Sequence, residues 1–465
     1  MASPDDKASA AAAATSINQN SDEDSAGTNI INEKPEHRSD TSPASDLAAL
    51  SAAAAPKPLG PPPPPNGGFQ AWLQVFGAFF LNINTWGLLN TFGVFQSEYS
   101  TGILSASSQS AISWIGAIQA FLMLVVGVVC GRALDAGYFY ADISLGIFLE
   151  VFGTMMTSIS NEYWQVFLAQ GVVVGLGAGM CFMPAVAIVG TYFSTRRSTA
   201  IGICATGSSI GGIIYPIMLK KLIASIGWRW ATRVMGFVML GTLLISVSVM
   251  RTRLPPRKSG PFINTVLLKE PTTLLWFLAV FFTLIGLYVP FFYVESYALN
   301  IGVDPDLASY LVIIMNATSV PGRLFPSIVA DKTGNLSIMI PAVLSSGIIM
   351  LGWTRVTSQP SLIAVSALFG FTSGSIQAVL PANVAYLCPD LSMLGTNLGM
   401  TLFSAGIGLL IGNPIAGAIL DKQSSGLDHA VFSGSFAFSG AVVIMGGLLL
   451  IAVRVMKVGW GLAKA

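Results

Sequence analysis

From Phe69 onward the apolar residues do not alternate with polar ones; they come in runs of roughly 19 to 27 residues separated by short polar breaks. About 20 residues of helix cross the hydrocarbon core of a bilayer, and inside it every backbone polar group must be bonded within its own segment. The pattern therefore predicts twelve membrane-spanning helices, at about 71–95, 109–131, 139–159, 164–190, 198–222, 230–250, 272–297, 307–330, 336–354, 361–386, 395–420 and 429–453. Ahead of them, residues 1–65 combine Ala, Ser, Asp, Asn and Pro and end in Pro61 to Pro65, which reads as a disordered tail with no secretory signal.

The apolar part repeats itself. Gly131 to Asp135 ends the second run and Ser327 to Asp331 the eighth; Pro184-Ala185 in the fourth recurs as Pro381-Ala382 in the tenth; Ile210-Gly211-Gly212 in the fifth recurs as Ile411-Gly412-Asn413 in the eleventh. The offsets are 196, 197 and 201 residues, so the expected fold is an all-α membrane protein of two six-helix pseudo-repeats in parallel orientation. The halves are read as 69–250 and 272–454, joined by a basic linker at 251–271 and followed by a C-terminus at 455–465. This arrangement resembles the major facilitator superfamily.

Composition sharpens the picture. Only 10% of residues are charged against about 25% in ordinary soluble chains, and 53% are hydrophobic. Four Lys/Arg and nine Asp/Glu stand before residue 69, leaving 19 and 13 for the rest, so the tail is acidic and the body weakly basic. Neither balance suits nucleic acid; the expected partners are the lipid bilayer and a small-molecule substrate, and the sequence is silent on an accessory protein. With the tail, alternate loops and C-terminus on one side, that side collects 16 Lys/Arg and the other 6, which places both termini in the cytoplasm, with the plasma membrane as the expected location. Lys220, Lys221, Arg229 and Arg233 run against that bias. The four scattered cysteines and two histidines offer no metal site, cofactor or His-based catalysis, and no phosphate-binding loop is present, so neither an enzyme nor an ATP-driven pump is expected.

Ionisable groups inside a membrane span are costly and default to functional candidates. Arg323 stands inside the eighth run, where its rigid five-donor fork suits a carboxylate of the substrate; the alternative is a pairing with Asp331 two turns away. Glu150, near the middle of the third run, is the candidate for proton coupling, and Asn90 in the first run for lining the cavity. Asp142 and Glu295, nearer span ends, read as interfacial. Gly131, Asp135, Asp331, Arg196 and Arg197 form the expected gate, a helix-capping or ion-pairing latch between neighbouring helix ends. Gly171, Gly175 and Gly179 give two overlapping G-x-x-x-G units for close helix packing.

Two stretches narrow the resemblance. Asn66-Gly67-Gly68-Phe69, entering the first run, and Tyr192 to Gly202 followed by Gly207 and Gly211, resemble the two signatures of the monocarboxylate transporter family, in a fungal branch with a long tail. The resemblance implies a lysine where Asn90 stands and an acid where Ser319 stands, with the arginine kept at Arg323. Loss of both companions argues against simple proton–lactate symport. The function expected is secondary active transport of a small organic acid or related metabolite by alternating access, with Glu150 as the candidate group for coupling to protons. The alternatives are efflux of a fungal secondary metabolite and, in another class, a non-transporting membrane sensor.

Overall fold

The computed structural model describes residues 64–255, 267–387, 394–425 and 430–459. The expected tail, the middle of the linker, Cys388, His429 and the Asp135 side chain lie outside the described residues. Within them the chain is helical, with no strand.

The first span is a broken helix: α1 (Phe69–Asn84), α2 (Trp86–Asn90) and α3 (Phe92–Thr101). Thr85 and Thr91 make the breaks, their hydroxyls each donating to the carbonyl four residues back, Leu81 and Gly87, at 2.9 Å. Such back-bonding bends a helix, and Thr85 leaves helical geometry altogether at ψ −82°. The second and third spans are α4 (Gln109–Asp135), capped by the Ser108 hydroxyl, and α5 (Phe139–Thr157). A short α6 (Tyr163–Val166), a π-helical stretch (Phe167–Val174) and α7 (Gly175–Tyr192) make the fourth.

Next comes α8 (Arg197–Val249), 53 residues long. At 1.5 Å per residue it would measure about 80 Å, far more than a bilayer core. Gly227, at φ 76° and ψ 164°, folds it back and makes it the fifth and sixth spans. The seventh span is α9 (Pro271–Leu287) and α10 (Val289–Asn300), interrupted before Pro290; α11 (Pro305–Thr333), α12 (Asn335–Trp353), α13 (Gln359–Leu387), α14 (Leu394–Ser424) and α15 (Ser433–Val458) follow. Ten helical stretches among the described residues are long and apolar enough to cross a membrane. Dividing α8 at Gly227 and adding the broken first span gives the twelve crossings expected from the sequence. The halves repeat in their turns too: Gly137 at φ 93° joins α4 to α5, and Gly334 at φ 99° joins α11 to α12.

The end of the bundle where α1 begins and α15 finishes is here called proximal, the other distal. Glycines set the packing distances: Gly171, Gly175 and Gly179 lie against Ile118, Gln119 and Val126 of α4, where an added Cβ would collide. Large apolar side chains such as Phe148, Trp164, Phe325 and Leu448 point outward, as a lipid-facing surface requires. The two halves meet mainly where α4 packs on α14 and α8 on α11. Three of the four distal cations that break the charge bias are tied down: Lys220 pairs with Glu295, Arg229 donates to Asn161, and Arg233 donates to Ser158 and stacks over Trp230, while Lys221 is exposed.

Candidate functional site

A cavity lies between the halves. Ser208, Trp86 and Tyr288 mark its mid-depth, and Val189 and Ile201 carry it toward the proximal ends of α7 and α8. Its wall is mostly Leu, Ile, Val, Ala and Phe, the composition of a small-molecule site, with few polar groups.

Arg323 of α11 is the charged residue in that wall, and it is 1% exposed. Its Nη1 donates to the Ala205 carbonyl and the Ser208 hydroxyl across the interface in α8, and its Nη2 donates to Gln377 Oε1 of α13 at 2.7 Å. The Tyr288 hydroxyl donates to the same oxygen at 3.1 Å. Arg323 Nε meets no acceptor among the described residues. All its partners are neutral, so the guanidinium is positioned but its charge is not matched. Four spans from both halves build this arrangement, and Trp86 stacks on Tyr288 across the gap with ring centroids 5.8 Å apart.

The structure corrects several expectations. Arg323 is not paired with Asp331, which is engaged elsewhere. Asn90 does not line the cavity; it is fully buried on the distal side, donating to Asn316 Oδ1 of α11 at 3.1 Å. Asn82 lines the cavity instead. The break at Thr85, which lies between them, explains the exchange, because a residue eight positions on keeps a helical face only if the helix is continuous. Glu150 is fully buried but outside the cavity wall, within the N-terminal half. Its backbone packs on Gly177, its polar neighbour is the Cys181 thiol, and neither carboxyl oxygen meets an N–H or O–H donor among the described residues. Glu295 is not interfacial: it is 3% exposed and its Oε1 lies 3.2 Å from Lys220 Nζ, joining the halves at the distal end. Ser319, at the position where the resemblance implies an acid, shares a 2.6 Å hydrogen bond with Ser209.

Of the expected gate residues, Asp331 makes the contact between halves. Its carboxylate accepts from the backbone N–H of Ser198 and Thr199, at 3.2 and 3.1 Å, and from the Thr199 hydroxyl at 2.7 Å. It thus caps the start of α8 from the other half, where the helix dipole favours a negative charge. Arg197 turns back on its own half, donating to the Phe193 and Gly190 carbonyls, while Arg196 is exposed and Gly131 lies against the Met183 side chain. Asn66, in left-handed backbone at φ 55°, accepts from Ser194 and Thr195 just ahead of α8, so the two stretches that carry the narrower resemblance touch each other.

Sequence reasoning missed Gln377, Tyr288, Ser208 and the Ser198–Thr199 pair. Gln377 alone carried a usable signal, as the glutamine deep inside the apolar run of α13.

A family model described as Major Facilitator Superfamily matches residues 71–359 and again 276–460. The chain is 40% identical to the MFS-type transporter dbaD of Emericella nidulans, over 83% of its own length and 86% of that protein. It is 37% identical to the aspyridones efflux protein apdF of the same organism, over 83% and 79%. It is 33% identical to the agnestins efflux protein AgnL12 of Paecilomyces divaricatus, over 84% and 89%. With twelve crossings in two repeating halves around a central cavity, and with these matches along the whole helical body, the chain is a multi-pass membrane transporter that belongs to the Major Facilitator Superfamily.

Proposed function

We propose that this transporter exports a secondary metabolite bearing an acidic group, by alternating access of the cavity between the halves. The observation that carries the reading is Arg323: a buried cation in a cavity wall, hydrogen-bonded only to neutral acceptors. Keeping an unmatched guanidinium there is costly, and a ligand that supplies the counter-charge offsets the cost. The names of the relatives, which include efflux proteins for aspyridones and agnestins, support export of such cargo over uptake of a simple monocarboxylate. The monocarboxylate branch remains the finer family reading, supported by the two stretches joined at Asn66.

Glu150 serves as the proton carrier in this scheme, separate from the cargo site. Asp331 supplies the gate at the proximal end through Ser198 and Thr199, with Gly131, Asp135, Arg196 and Arg197 as its proposed companions, and Asn90 ties α2 to α11 on the distal side. Both termini face the cytoplasm of a cell bounded by this plasma-membrane protein, as the 16 to 6 charge split favours.

The test is counterflow and pH-driven uptake in proteoliposomes, using a panel of acidic fungal metabolites, simple monocarboxylates and neutral metabolites of similar size. Acidic metabolites should move and neutral ones should not. Transport restricted to acetate- or lactate-sized acids would replace this reading with monocarboxylate permeation.

A further inference from the structure

Gln377 faces the cavity beside Arg323, and its amide orientation is set by its neighbours. One end receives two donors, Arg323 Nη2 at 2.7 Å and the Tyr288 hydroxyl at 3.1 Å. That end must be the oxygen, since an amide NH2 there would face donor against donor. The other end is therefore Nε2, and it is buried without an acceptor among the described residues. Arg323 Nε stands in the same condition one hydrogen bond away. The wall thus holds two unanswered donors, on two side chains of different helices, and no Asp or Glu lines the cavity.

Buried donors without partners each cost about 1–3 kcal/mol, so a ligand gains most by bringing acceptors to both. A single neutral oxygen answers one donor and leaves the charge unmatched. An ionised group with two oxygens side by side answers both donors and supplies the missing negative charge. Leu284, Leu287, Ile376 and Leu380 line the same cavity and suit an apolar body.

We propose that Gln377 is a specificity-determining contact, and that the site selects amphipathic organic anions whose ionised group presents two adjacent oxygens, one to Arg323 Nε and one to Gln377 Nε2. This rests on the reading of Arg323 as the cargo anchor. It goes further in naming a second contact and in excluding acids whose charge sits on one isolated oxygen.

The full-length chain in lipid nanodiscs provides the test, with biphenyl-4-carboxylate as a two-oxygen anionic probe and its methyl ester as a neutral probe of nearly the same shape. Equilibrium binding is measured for the wild type and for Gln377→Met, Gln377→Glu and Arg323→Lys. The wild type should prefer the acid by at least tenfold. Gln377→Met should lose about tenfold or more for the acid and less than twofold for the ester. Gln377→Glu keeps an acceptor for Arg323 and Tyr288 but supplies the counter-charge itself, so it should reject the acid while still binding the ester. If Gln377→Met loses the ester as well, its fold is compromised and Gln377→Glu decides. Acid binding within twofold of wild type in either folded Gln377 variant, with Arg323→Lys impaired, overturns the role of Gln377 and leaves the anchor standing. Equal affinity of the wild type for acid and ester, no binding of the acid, or an unimpaired Arg323→Lys overturns the anchor and the anion class together.

Discussion

Arg323 and Glu150 are both ionisable side chains buried at depth in apolar spans, yet their surroundings are opposite. Arg323 stands in the cavity wall with acceptors from α8 and α13 arranged around its fork. Glu150 stands in packed interior, between glycine-lined helices, with no donor for either oxygen and no cation paired with it among the described residues. The first is held in a fixed pose in the cavity wall. The second is isolated from cargo. Burial alone does not separate these roles; the partners and the access do. In the proposed mechanism the two halves divide the work, the C-terminal half holding the charge that meets cargo and the N-terminal half holding the group that takes up a proton.

The largest expected effect breaks this comparison on the Glu150 side. Glu150→Gln should abolish pH-gradient-driven accumulation in proteoliposomes while leaving exchange of cargo for cargo at wild-type rates, since glutamine fills the same space. Undiminished uphill transport would remove Glu150 from coupling. On the other side, Arg323→Lys keeps the charge and loses the fork, so affinity for an acidic cargo should fall about 10- to 100-fold with normal membrane insertion. If Glu150→Gln were instead the variant that lost cargo affinity, the division of labour would be reversed.

A smaller effect is expected at the proximal gate. Asp331→Ala removes three hydrogen bonds between the halves, one of them to the Thr199 hydroxyl at 2.7 Å. Loss of such a cap costs about 0.5–2 kcal/mol, which shifts an opening equilibrium by roughly 2- to 30-fold. Cys204 lines the cavity and reports on it. With the other three cysteines replaced by alanine, maleimide should alkylate Cys204 several-fold faster in the Asp331→Ala background; an unchanged rate would mean that this contact does not gate the cavity. The last prediction sets the frame without changing activity. A cysteine at exposed Ala106 should label from outside intact cells and one at exposed Ala136 should not, and the opposite pattern would invert the topology.

Twelve crossings and two repeats were legible in the sequence because lipid imposes a length and a polarity on each span that local composition records. Arg323 was legible for the same reason, as a charge where none is cheap. The geometry around it was not. Ser208 and Tyr288 are ordinary residues for their helices, and only the meeting of four spans makes Ser208 an acceptor for Arg323 and Tyr288 a second donor to Gln377. Asn90 was misplaced because Thr85 breaks the helix between it and Asn82, and a single threonine in a membrane run does not announce a break. The pairing of Asp331 with Ser198 and Thr199 lay hidden because the arginines just ahead, Arg196 and Arg197, offered a more obvious charge partner. The capping logic of a helix start was the better guide.

Gly227 has a mechanical meaning. The chain reverses there through one residue in a backbone region essentially confined to glycine, with helix on either side and no intervening loop. A hinge with a loop has slack, and motion of one arm dissipates before reaching the other. A one-residue elbow has none, so the fifth and sixth spans form a stiff pair of arms. Asp331 grips the far tip of the first arm at Thr199. Release of that grip is expected to free the whole hairpin to tilt as one piece.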